Sequence, residues 1–209
     1  IKYKTIVDEF DDAIKAGEFK MYLQPQISAK TRRLTGAEAL VRRIKPDGTI
    51  VSPIDFIHVY EKSGLISRLD RYIWEQAAAK LGEWKKAGIN MSISVNISPK
   101  DFYYIDIFNT FAGLIKKYDI EPSNLKIEIT ETTIMSDVPN LMGELEELRK
   151  AGFTIEMDDF GSGYSSLNTL KDINVDVLKV DMGFIKETKN VKISRIILAS
   201  VINMAKELN

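Results

Sequence analysis

The sequence has 209 residues, enough for one domain with a sizeable core, and its 29 basic and 30 acidic residues give a net charge of −1. That balance gives no reason to expect DNA as a partner, although it is compatible with a local cationic pocket for a small phosphate ligand. Cysteine is absent, which excludes disulfides, zinc–thiolate sites and a cysteine nucleophile, and no apolar run reaches the length of about 18 residues that spans a bilayer. A cytoplasmic location is expected.

Short runs typical of β-strands alternate with longer helical patterns along the chain. Residues 1–16 are predicted to be a helical connector, and 17–209 a single domain. The predicted strands are 19–27, 34–43, 91–98, 125–131, 153–159 and 175–180. Runs of this length with β-branched and aromatic residues favour strands over helices.

Helix signals occupy the intervals between the predicted strands. Ser52 followed by Pro53 is typical of an N-cap and a first helical position, and the same pair recurs at Ser98. Two amphipathic stretches end at glycines, as helices commonly do, and the tail 192–209 keeps a helical period.

Strands that alternate with helices favour a parallel sheet covered by helices, with right-handed connections. At least six strands leave two architectures open, a closed barrel and an open doubly wound sheet. No Gly-x-Gly-x-x-Gly pattern follows the first strand, which counts against a dinucleotide-binding sheet.

Five successive predicted strands each carry a polar residue near the carboxyl end, on the face opposite their apolar residues. These are Glu38, Asn96, Glu128, Asp158 and Lys179. Side chains alternate between the two faces of a strand, and in a parallel barrel the carboxyl ends of the strands form the catalytic face. We therefore expect the five side chains to converge.

Carboxylate and amide oxygens without a thiol favour hard cations, Mg²⁺ or Mn²⁺, over zinc. Acidic ligands in this number suit a two-metal site that catalyses in-line displacement at phosphorus, and the adjacent Asp158 and Asp159 are placed to reach different ions. Arg42 is a candidate for holding a substrate phosphate, and Lys179 for orienting the attacking water or stabilising the charge of the transition state.

At these residues the chain strongly resembles the EAL domain, the bacterial phosphodiesterase module that degrades the second messenger cyclic di-GMP. Six motifs match in order and spacing, and although any one alone is weak, the ordered set is highly specific. They are "YLQP" at 22–25, "EALVR" at 38–42, "SVNIS" at 94–98, "EITE" at 128–131, "DDFGSGYSSL" at 158–167 and "LKVD" at 178–181.

The resemblance implies a modified TIM-type barrel whose first strand runs antiparallel to the others, with two Mg²⁺ or Mn²⁺ ions and hydrolysis of cyclic di-GMP to linear pGpG. It implies metal ligation by Glu38, Asn96, Glu128 and Asp158, and by Asp159 at the second ion. It further implies that Lys179 contacts the catalytic water and that Gln24 and Arg42 contact substrate. Glu131 would hold the loop that begins at Asp158, a loop tied in this family to metal binding and dimerisation.

Two departures from the family pattern stand out. Position 43 is Arg where the family commonly has Trp. The last two barrel strands of the family, with a further metal-binding glutamate and a glutamine, have no counterpart in these residues, so residues 1–209 alone are expected to lack a complete site. The resemblance also implies a homodimer and an upstream GGDEF or sensory domain.

Three functional interpretations remain open from the sequence. The favoured one is an active phosphodiesterase, because every matching site residue is of catalytic type. The alternative is a non-catalytic EAL-type receptor for cyclic di-GMP or a protein-interaction scaffold. An unrelated metal-dependent barrel enzyme, such as a lyase, fits the strand-end pattern but not the ordered motifs.

Overall fold

The computed structural model describes residues 2–136, 138–161, 173–181, 183 and 191–207. The chain opens with two helices, α1 (Lys2–Asp8) and α2 (Phe10–Lys15). Phe10 and Ala13 of α2 are buried in the same core as the sheet that follows, so α2 packs as part of the domain. The predicted boundary at residue 17 stays a prediction.

In the part of the chain that the structure describes, seven strands form one sheet, and the parallel arrangement predicted from the sequence is confirmed. The strands are β1 (Phe19–Ile27), β2 (Leu34–Ile44), β3 (Ile50–Val51), β4 (Ser92–Asn96), β5 (Leu125–Thr130), β6 (Ile155–Phe160) and β7 (Val177–Val180). Their order is β1-β2-β4-β5-β6-β7, with β3 paired to β2. β1 pairs with β2 antiparallel, whereas β2, β4, β5, β6 and β7 run parallel, so the first strand is reversed as predicted. Over these residues the sheet is open.

The described ranges contain seven further α-helices. They are α3 (Pro53–Ser63), α4 (Ile66–Lys86), α5 (Asp101–Tyr104), α6 (Ile107–Tyr118), α7 (Glu131–Met135), α8 (Leu141–Lys150) and α9 (Val191–Glu207). Pro53 begins α3 after Ser52, as predicted, and Gly64 ends that helix in a left-handed conformation with φ of 77°. Among the described helices, none is both long enough and apolar enough to cross a membrane.

The core lies between the outer face of the sheet and the helices. Ile93, Val95, Ile127 and Ile129 are all fully buried there. The residues between them along β4 and β5 are polar and point to the other face, since strand side chains alternate. This alternation places the polar set on the concave interior of the sheet.

Arg43, the departure from the family pattern, is directed at the N-terminal helices. Its side chain is 5% exposed, and its guanidinium donates to Glu18 at 2.8 Å and to Glu9 at 2.7 Å. The guanidinium also lies 5.8 Å from the centre of the Phe19 ring. Arg43 therefore ties α2 to the first two strands.

Candidate active site

The carboxylates predicted to converge do so around one ammonium group. Lys179 on β7 places Nζ 3.0 Å from Glu38 Oε2 and 3.4 Å from Asp158 Oδ2, and the same nitrogen contacts Glu128 Oε1. Three parallel strands, β2, β5 and β6, thus present acids to a lysine from a fourth. Like charges at such short range require a positive compensating charge, and Lys179 supplies it here.

Glu128 is the most deeply placed of these acids, with no exposed surface. Its Oε1 contacts Lys179, whereas Oε2 has no hydrogen-bond partner among the described residues. A buried carboxylate oxygen without a partner carries a desolvation cost that a bound cation would relieve. The donor atoms here are all oxygens, and a positive group, the Lys179 ammonium, already lies among the three carboxylates, so the chemistry fits a cation site. Within the described ranges, no group of three acids is close enough to enclose an ion by itself.

Asp158 and Asp159 lie where β6 ends, and both hold protons more tightly than usual. Burial raises the pKa of Asp158 to about 6, with the charges of Asp159 and Glu38 adding to the effect. Partial burial raises the pKa of Asp159, and Asp181 and Glu38 contribute. Asp159 also has a left-handed backbone, with φ of 56°, which is uncommon for a residue other than glycine. Backbone strain of this kind is typical of functional sites.

Asn96 and Gln24 are held at the same level by strand register. Asn96 on β4 pairs with Glu128, and Gln24 on β1 pairs with Glu38. The backbone carbonyl of Asn96 accepts a 2.9 Å hydrogen bond from the indole of Trp74, which anchors the end of β4 on α4. The backbone positions of both residues therefore lie next to those of the carboxylate residues in the sheet.

A cavity of about 290 Å³ lies at the carboxyl ends of β2, β4 and β5 under α3 and α4. Arg42, Asn96 and Thr130 line it, and Thr130 pairs in register with Asp158. The Arg42 guanidinium donates to the carbonyl of Val41 at 2.8 Å and lies 5.9 Å from the centre of the Tyr22 ring. Of the predicted site residues, the cavity is lined by Arg42 and Asn96, whereas the carboxylates around Lys179 are not among its lining residues.

Glu131 begins α7 directly after β5 and is 2% exposed. Its Oε2 accepts a 3.2 Å hydrogen bond from the backbone N–H of Gly161, the residue at which the "DDFGSGYSSL" loop leaves β6. Residues 162–167 of that loop lie outside the described residues. The contact at Gly161 places Glu131 at the root of the loop that it was predicted to hold.

Sequence reasoning missed a pair of carboxyl groups in the cavity wall. Asp70 of α4 lines the cavity and is hydrogen-bonded to Asp101 of α5, which is fully buried. Burial raises the pKa of Asp101 to about 6, and burial together with the Asp101 charge raises the pKa of Asp70 well above its usual range. One signal was available, since Asp70 falls on the apolar face of α4 between the buried Ile66 and Ile73.

Comparison with known proteins gives the family of this chain. The chain matches the EAL domain family over residues 7–209. It is 35% identical over 198 residues to the signaling protein YkoW of Bacillus subtilis, covering 95% of this chain and 25% of YkoW. It is 30% identical over 205 residues to MucR of Pseudomonas aeruginosa, a bifunctional diguanylate cyclase and cyclic di-GMP phosphodiesterase, covering 98% of this chain and 30% of MucR.

Solved structures show the same likeness. The MucR phosphodiesterase in complex with cyclic di-GMP matches with a TM-score of 0.89 and 30% identity, covering 98% of this chain and 83% of that one. The FimX EAL domain of Xanthomonas citri, bound to cyclic di-GMP, matches with a TM-score of 0.88 at 21% identity, covering 99% of this chain and 80% of that one, and supports the fold alone.

The chain belongs to the EAL domain family, which has the TIM-barrel-like α/β fold described above. Its relatives include cyclic di-GMP phosphodiesterases. It spans about a quarter to a third of the length of the curated relatives it matches first.

Proposed function

We propose that this domain hydrolyses cyclic di-GMP to linear pGpG in a reaction that depends on two divalent cations, Mg²⁺ or Mn²⁺. The observation that carries the proposal is the convergence of Glu38, Glu128 and Asp158 around Lys179, beside a cavity that Arg42 lines. The identity of the substrate is proposed from relatives that are named cyclic di-GMP phosphodiesterases and from the MucR complex with cyclic di-GMP.

The proposed ligand set is the one that the family resemblance implies, and the convergence of Glu38, Glu128 and Asp158 supports it. Glu38, Asn96, Glu128 and Asp158 would hold one cation, and Asp159 would reach the second. Bound cations of this kind polarise a phosphate and lower the pKa of a coordinated water. Their charge would also favour the ionised form of Asp158, whose pKa burial otherwise raises to about 6.

The chain's own groups position substrate and water. Arg42 would bind a phosphate oxygen, and Gln24, which pairs in register with Glu38, would contact the same ligand. With cations held by the carboxylates, the Lys179 ammonium would be free to donate to the attacking water. The water oxygen would add to phosphorus as the bond from phosphorus to the 3′ oxygen breaks. One proton of the water would pass to the 3′ oxygen, which gives a 5′-phosphate and a 3′-hydroxyl.

Turnover and binding must be measured separately on the full-length protein that carries this domain. The expected result is pGpG formation with Mg²⁺ or Mn²⁺ and none with a chelator, while Glu38→Ala still binds cyclic di-GMP but does not hydrolyse it. Wild-type protein that binds cyclic di-GMP without turnover would overturn the enzyme assignment in favour of a non-catalytic receptor.

We further propose that the domain acts in the cytoplasm as a homodimer within a longer signalling protein that carries a GGDEF or sensory domain. The short share of the relatives' length that this chain covers and the bifunctional MucR support the longer protein, whereas the homodimer is carried over from the family resemblance. Light scattering of the full-length protein should give twice the monomer mass, and a monomeric mass with full turnover would contradict the homodimer.

A further inference from the structure

A second buried ion pair lies on the interior face of the sheet, two residues further from the carboxyl ends of the strands than the acidic cluster. Lys126 Nζ lies 2.9 Å from Glu156 Oε1, and their side chains are 21% and 2% exposed. Lys126 precedes Glu128 by two residues on β5, and Glu156 precedes Asp158 by two residues on β6. Because side chains two apart share a face, the pair faces the same interior as the site.

Strand register places Glu156 directly beside Glu128. The two residues are partners across the parallel strands β5 and β6, and neighbouring strands lie about 4.8 Å apart. Both carboxylates are buried, at 1% and 0% exposure. Each faces its own ammonium, Lys126 for Glu156 and Lys179 for Glu128, and in each one Oε2 has no hydrogen-bond partner within the described part of the chain.

Stability alone does not account for charges at this position. Desolvating two ions costs about as much as their attraction returns, so apolar residues of similar volume would serve a purely structural purpose equally well. A negative charge beside a ligand, in contrast, acts directly on any cation held by that ligand, because the low dielectric of the interior screens it weakly. The Lys126 ammonium lies one step further away and partly offsets that charge.

We propose that Glu156, held by Lys126, is a positioning residue that acts through Glu128 by supplying part of the negative potential that retains a divalent cation. The inference rests on the cation-binding role of Glu128 in the proposed function. Among the residues that the structure describes, Glu156 forms no hydrogen bond or ion pair with Lys179, Glu38 or Asp158, and its neighbour in the cluster is its strand partner Glu128. The pair therefore acts through Glu128, as groups behind a metal ligand do.

Direct Mn²⁺ binding to the full-length protein, measured by calorimetry and by the electron paramagnetic resonance of free Mn²⁺, tests this role without relying on turnover. Glu156→Gln should lower Mn²⁺ affinity roughly tenfold, in the range typical of groups behind a ligand. Lys126→Met should leave the affinity equal or higher, because it removes a positive charge. Glu18→Gln is the matched control, since it breaks another buried ion pair, with Arg43, and should leave Mn²⁺ affinity unchanged.

The double variant Lys126→Met/Glu156→Gln replaces the ion pair by neutral groups of similar volume and protects the test against misfolding of a single variant. It should bind Mn²⁺ more weakly than Lys126→Met, from which it differs only at Glu156. Equal affinities of those two proteins, or equal losses in Glu156→Gln and Lys126→Met, would overturn the proposal, since packing rather than charge would then be responsible.

Failure of this inference and failure of the proposed function are distinguishable. Wild-type protein without turnover, but with the expected order of Mn²⁺ affinities, would remove the enzyme assignment and keep the role of Glu156. Normal turnover in wild type together with unchanged Mn²⁺ affinity in Glu156→Gln would keep the enzyme assignment and remove the role of Glu156.

Discussion

Replacing Lys179 by Met removes the positive charge from the centre of the acidic cluster and keeps most of the side-chain volume. The ammonium contacts Glu38, Glu128 and Asp158, whose side chains are 18%, 0% and 24% exposed. Without it, the three carboxylates face one another with no compensating charge unless a cation is bound. Lys179→Met should therefore destabilise the metal-free protein far more than the metal-bound protein.

The expected loss can be sized from the burial of the partners. Removing one partner of a buried ion pair costs about 3–5 kcal/mol, and the partial exposure of Glu38 and Asp158 favours the lower end, about 3 kcal/mol. For a domain of this length each kcal/mol moves the melting temperature by about 2–4 °C, so a fall of roughly 6–12 °C is expected in a chelator. Saturating Mg²⁺ should recover most of it, because the cation takes over the compensating charge.

Thermal unfolding of the full-length protein, with a chelator and with Mg²⁺, measures both values. Lys85→Met is the control, because Lys85 pairs with Asp119 at the surface, where both side chains are largely exposed, and such pairs contribute at most about 1 kcal/mol. A fall in Lys179→Met that is the same with and without Mg²⁺ would refute the reasoning, as would an unchanged melting temperature in the chelator.

Three further outcomes are expected. Glu38→Ala should lower cyclic di-GMP turnover by roughly a thousandfold or more through loss of a metal ligand, and undiminished turnover would contradict the site. Burial raises the pKa of Asp101 to about 6, so the folded state binds this proton more tightly than the unfolded chain. The resulting stabilisation is complete below about pH 4 and is lost as the pH rises through about 6. Urea unfolding from pH 4 to 8 should show that loss of unfolding free energy in wild type and a weaker pH dependence in Asp101→Asn. Parallel pH profiles of the two proteins would contradict the raised pKa of Asp101. Glu131→Ala should speed hydrogen exchange at Gly161, and Mg²⁺ should slow exchange across residues 158–167; equal exchange rates in all samples would refute the anchoring of this loop.

Much of the fold was predictable because it follows from local pattern. β1 covers Phe19–Ile27 as predicted, and the other five predicted strands appear with ends displaced by up to two residues. One displacement has a local cause. The Thr130 hydroxyl caps α7, so β5 ends at Thr130, one residue before the predicted end at Glu131. The two-residue strand β3 was missed, since its only support is pairing with Arg43 and Ile44 of β2.

The face on which each site residue lies was also readable from the chain, because alternation along a strand is a consequence of backbone geometry. Glu38, Asn96, Glu128, Asp158 and Lys179 could be assigned to one face without knowledge of the fold. The ionisation of these residues could not be predicted from the sequence, since the raised pKa of Asp158 depends on burial and on Glu38 from another strand.

Contacts between distant segments were decided only by the tertiary structure. Lys179 meets Glu38 across 141 residues, Arg43 meets Glu9 across 34, and Asp70 faces Asp101 from a different helix. None of these pairs has a signature in its own neighbourhood, because strand order and register choose the partner. The pattern along the chain therefore determined which residues are polar, at which strand end and on which face, while the packing of the sheet determined which charges meet and what compensates them.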